Sequence, residues 1–74
     1  MDSKLIIEIR EQLEQIFLSR LDADKTQGDF WTDTIKAFES VKNKYTGTAA
    51  ETFTLEFATF YLIQLRELAK AKAA

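Results

Sequence analysis

The chain has 74 residues, no cysteine, no histidine and a net charge of −2, from ten Lys plus Arg against twelve Asp plus Glu. That length implies one domain, and the lack of cysteine excludes a disulfide framework or a thiolate metal site. The near balance of charge argues against a basic nucleic-acid footprint, and 46% hydrophobic content is too high for a disordered chain.

A domain this small buries only about 60% of its unfolded surface, and many of its size lean on a metal or on oligomerisation. No secretory leader is visible, because the apolar run Leu5–Ile7 stops at Glu8. The longest nearly apolar run, Phe57 to Ile63, is far below the roughly 18 residues of a membrane span. These features predict a soluble protein, cytoplasmic by default.

The first predicted helix covers about residues 3–21, with Asp2 or Ser3 as its cap. Leu5, Ile6, Ile9, Leu13, Ile16, Phe17 and Leu21 recur at helical spacing and form its apolar stripe. Lys4, Glu8, Glu11, Glu14 and Gln15 take the other side. Ile7 and Leu18 break this division. They lie eleven residues apart, three turns, beyond the edge of the stripe.

Asp22 to Asp29 is polar and predicts a loop. Asp22, Asp24 and Thr26 match positions 1, 3 and 5 of a calcium-binding loop. The match then fails, since Gln27 stands where the sharp turn needs glycine and Asp33 where a bidentate glutamate belongs. A turn closed by an Asp29 cap, alone or paired with Thr26, accounts for the same residues.

The second helix is predicted over about residues 30–46. Phe30, Trp31, Thr34, Ile35, Ala37, Phe38, Val41 and Tyr45 share one side. Gly47 is placed to end it in a left-handed conformation. Thr48 and Glu51 have capping-box spacing and start a third helix, about residues 49–72. Thr52 to Phe57 also alternates like a strand, but no Gly or Pro interrupts the stretch to Lys72 and helical spacing is the stronger pattern.

Phe53, Phe57, Phe60, Tyr61 and Leu68 fall on one face of this helix, with Gln64 among them. Ala58, Leu65 and Ala69 widen that face on one side. Leu55 and Leu62 lie further round, and Ile63 lies off the opposite edge. From Phe53 to Leu65 the helix is apolar nearly all round, and such a helix is normally buried on most sides. Lys70 and Lys72 suit its negative end.

Signs of catalysis are absent from the sequence. Ser3, Ser19 and Ser40 have no histidine to activate them. Glu8, Glu11 and Glu14 lack the histidines of a helical di-metal site. With glycine only at 28 and 47 there is no phosphate loop. Lys36, Lys42 and Lys44 point in different directions around their helix, so they make no nucleic-acid stripe.

The sequence therefore predicts an all-α three-helix bundle. Helices 2 and 3 form a tight antiparallel hairpin, helix 1 packs across both, and the long C-terminal helix is central. It predicts neither an enzyme nor a cofactor, metal, membrane or nucleic-acid site. The surplus apolar residues Ile7, Leu18, Leu55, Leu62 and Ile63 are expected to form an interface. The expected use is self-association, as a homodimer or assembly subunit. The alternative is an adaptor, chaperone or inhibitor that binds another protein with the same patch.

Overall fold

The computed structural model describes residues 2–73, with side-chain surroundings described through residue 71. Three helices follow in order: α1 (Ser3–Leu21), α2 (Phe30–Lys44) and α3 (Glu51–Ala73). No strand occurs among the described residues, so Thr52 to Phe57 is helical despite its alternation. Each helix packs on both others, and the contact of α1 with α3 is the most extensive.

The caps differ in kind. Asp2 Oδ1 accepts from the amides of Lys4 at 2.7 Å and Leu5 at 3.2 Å, filling two orphan donors of α1. Lys25 Nζ donates to the Leu21 carbonyl at the other end, at 2.7 Å. Asp29 precedes α2 but its side chain makes no capping bond. Thr26 does not pair with it either. Thr26 instead donates to Asp24 through its amide, at 2.9 Å, and its hydroxyl, at 2.5 Å. That local turn competes with the predicted cap for the same side chain.

Between α2 and α3, Gly47 takes φ 82°, a left-handed conformation that glycine adopts without Cβ strain. The Thr48 hydroxyl accepts from the Ala50 amide at 3.2 Å. Glu51 reaches back one residue further than a capping box requires, to the Gly47 amide at 3.1 Å, not to Thr48. The turn therefore runs on to Ala50, and α3 begins two residues later than predicted. Tyr45 and Thr46 likewise fall outside α2. The side chain of Lys72, expected at the helix end, lies outside the described residues.

The core contains Ile9 and Leu13 from α1, Phe38 and Val41 from α2, and Ala50, Ala58 and Leu65 on the α3 side. For α1 and α2 these are the predicted stripes. For α3 the centre of the buried face has moved. Ala50, Thr54, Ala58 and Leu65 are its buried line, while Phe60 is 52% exposed and Leu68 43% exposed. Small side chains let the helix backbones approach closely, and rings are pushed to the flanks. Tyr61 bridges the flank, with its ring 4.8 Å from Phe17 and 6.4 Å from Phe38.

Among the described residues, Thr34 and Thr54 are the fully buried polar ones. Each hydroxyl donates to the carbonyl four residues earlier, Phe30 at 2.7 Å and Ala50 at 2.8 Å. Neither is therefore an unsatisfied group. A compact domain of this length has a radius of gyration of roughly 11 Å. Here it is 13.0 Å, and the molecule measures 41 × 19 × 16 Å. The 23 residues of α3, about 34 Å of helix, draw out the long axis.

Candidate interaction surface

The ends of the bundle are held by different chemistry. At one end Gln12 donates to the Tyr45 hydroxyl and accepts from Lys44 Nζ, both at 2.8 Å, tying α1 to the end of α2. At the other end Phe30 is buried beneath the loop 22–29. The Arg20 guanidinium carbon and Lys25 Nζ lie 5.8 and 5.9 Å from its ring centre, within cation–π range. Trp31 meets the same ring edge-on at 4.8 Å.

Beside this end, α2 and α3 leave an open cleft of about 610 Å³. Trp31 and Ile35 contribute from α2. Leu62, Arg66, Ala69 and Lys70 contribute from α3, and Thr26 from the loop. The lining is almost wholly apolar, and the two cations stand at its rim. Glu67 lies 3.9 Å from Arg66 Nε and 3.7 Å from Lys70 Nζ, with all three side chains more than half exposed. Ion pairs this exposed and this long are worth little, so the cations remain available to an incoming anion.

The five residues singled out by sequence do not occupy one place. Leu62 is half-buried and packs against the core while lining the cleft. It is thus not surplus, because α2 lies along its edge of α3. Leu55 is 50% exposed, two turns earlier on the same edge. Ile63, one residue on from Leu62, turns about 100° away and is exposed. Ile7 and Leu18 are 53% and 47% exposed on α1. Ile7 borders a shallow depression with Arg10, Glu11 and Glu14, which shares no residue with the cleft.

Periodicity places other exposed apolar residues on core faces. Ile35, Phe60 and Leu68 are each more than two-fifths exposed. Phe60 with Phe57 and Glu56 lines a smaller hollow on the far flank of α3. Trp31, Ile35, Arg66 and Lys70 were not foreseen as one site, since they come together only when α2 and α3 are packed. A trace was present in the sequence. Leu55, Thr59, Leu62, Arg66 and Ala69 recur at alternating steps of four and three, the spacing of a helix seam.

No group of three or more His, Cys, Asp or Glu is placed to hold a metal among the described residues. No described helix is long and apolar enough to cross a membrane. No family model, curated protein or solved structure matches the chain.

Proposed function

We propose that this chain is a small non-catalytic protein–protein interaction module that self-associates through apolar surface on α1 and α3. The observation that carries the reading is the amount of large apolar side chain left in solvent. Among the described residues seven such side chains are exposed, six of them on α1 and α3. The core among the described residues is small, with eight buried hydrophobic residues, two of them alanine. Monomers seldom leave extensive apolar surface uncovered.

The surface is also large enough to spare such a contact. A folded monomer of 8.5 kDa exposes about 4,700 Å² by size scaling. This chain exposes 5080 Å². An ordinary interface covers about 800 Å² per partner, which the elongated bundle supplies without loss of its core.

The reading also takes α2 and α3 as an antiparallel hairpin with α1 across both. Support comes from the short connection 45–50 and from the cleft, where early α2 residues (Trp31, Ile35) lie beside late α3 residues (Leu62, Arg66, Ala69). Nuclear Overhauser contacts should then join early α2 to late α3 across the cleft, from Trp31 or Ile35 to Leu62 or Ala69. Their absence removes the hairpin.

Light scattering behind gel filtration tests the function. The expected mass is a dimer or higher oligomer that dissociates on dilution. A monomer at high concentration refutes self-association, and recovery of a single stoichiometric foreign protein then makes the chain an adaptor.

A further inference from the structure

We propose that the cleft between α2 and α3 receives the outward face of α1 from a second copy of this chain. The inference rests on the self-association above and specifies its two surfaces. On α1, Ile7, Glu11, Glu14 and Leu18 are spaced four, three and four residues apart, so they share one face of the helix. All four are exposed. The face is apolar at both ends and acidic in the middle, with Arg10 beside it.

The cleft has the opposite character. Its floor is Trp31, Ile35 and Leu62, and its rim carries Arg66 and Lys70. Glu67 neutralises part of that charge across solvent. The region still keeps one positive charge in excess, against one negative in excess on the α1 face. An amphipathic helix laid in an apolar groove is a common recognition mode, and a cationic rim selects an acidic one.

The registers agree. From Leu18 back to Glu14 and Glu11 is one turn, then one more. From Leu62 on to Arg66 and Lys70 is also one turn, then one more. With the incoming α1 antiparallel to α3, Leu18 sits over Leu62 and Ile35, Glu14 meets Arg66, and Glu11 meets Lys70. The two surfaces share no residue, so the contact is head-to-tail unless two copies exchange it reciprocally. Head-to-tail contacts build rings or filaments and do not need a two-fold dimer.

The chain has no cysteine, so single cysteines report contacts without background. Leu18→Cys and Ile35→Cys, mixed and oxidised, should give a cross-linked pair, and neither alone should cross-link to itself. Glu11→Lys with Glu14→Lys, and separately Arg66→Glu with Lys70→Glu, should each weaken association by roughly tenfold or more. Mixing the two charge-reversed proteins should restore it. All these positions are exposed, and circular dichroism confirms that each variant is folded.

Self-cross-linking of Leu18→Cys overturns the head-to-tail contact. So does an association constant unchanged by either charge reversal, while self-association itself stands. A wild-type chain that is monomeric at high concentration removes both.

Discussion

Leu65→Ala and Leu68→Ala make the same chemical change, three residues apart on one helix. Periodicity places Leu68 on the central aromatic face of α3 and Leu65 at its edge. In the structure Leu65 is fully buried in the core and Leu68 is 43% exposed. Truncating a buried leucine costs about 2–5 kcal/mol, from lost transfer energy and the cavity left behind. Leu65 has no exposed surface to relax into, so about 3 kcal/mol is expected. A half-exposed leucine forfeits only part of its burial and leaves no enclosed cavity, which gives about 1 kcal/mol or less.

A domain of 74 residues is stable by roughly 4–11 kcal/mol. Leu65→Ala should therefore remove a large fraction of the stability and lower Tm by roughly 12–24 °C. Leu68→Ala should lower it by roughly 8 °C at most. Urea denaturation followed by circular dichroism at low protein concentration gives both values, with the m-value showing that the unfolded reference is unchanged. Equal losses for the two variants, or a larger loss for Leu68→Ala, would refute the placement of the α3 core face.

Two further pairs separate positions that look alike in sequence. Gly47→Ala should cost about 1 kcal/mol, because φ is 82° there and no neighbouring atom is close enough to add a clash. Gly28→Ala should be neutral or stabilising by up to about 1 kcal/mol, since its backbone is outside the left-handed region and its surroundings are open. Thermal melts of both variants decide this, and equal destabilisation would count against the described turn. Asp2→Ala should cost about 1 kcal/mol through loss of two amide bonds. Asp29→Ala should cost less than about 0.5 kcal/mol, leaving only its charge near the α2 dipole. A larger loss at Asp29 in urea titration would show a cap that the structure lacks.

The existence and approximate bounds of three helices were determined by sequence alone. Polar breaks at 22–29 and around Gly47 separate three uninterrupted runs, and Asp2 and Thr48 mark two starts. The buried faces of α1 and α2 were legible as well. Each has one dominant apolar stripe, with only Ile7 and Leu18 outside it on α1, so Ile9, Leu13, Phe38 and Val41 had one way to turn. Tertiary structure alone decided the orientation of α3. That helix is apolar nearly all round from Phe53 to Leu65, so periodicity allowed several inward faces. Close approach of two neighbouring helices selected Ala50, Thr54 and Ala58 over the phenylalanines, because small side chains fit where backbones meet and rings do not. The cleft follows from the same choice. Leu62, Arg66 and Ala69 acquire a common site with Trp31 and Ile35 only after α2 has settled along their edge, a relation between residues some thirty positions apart that no local pattern encodes.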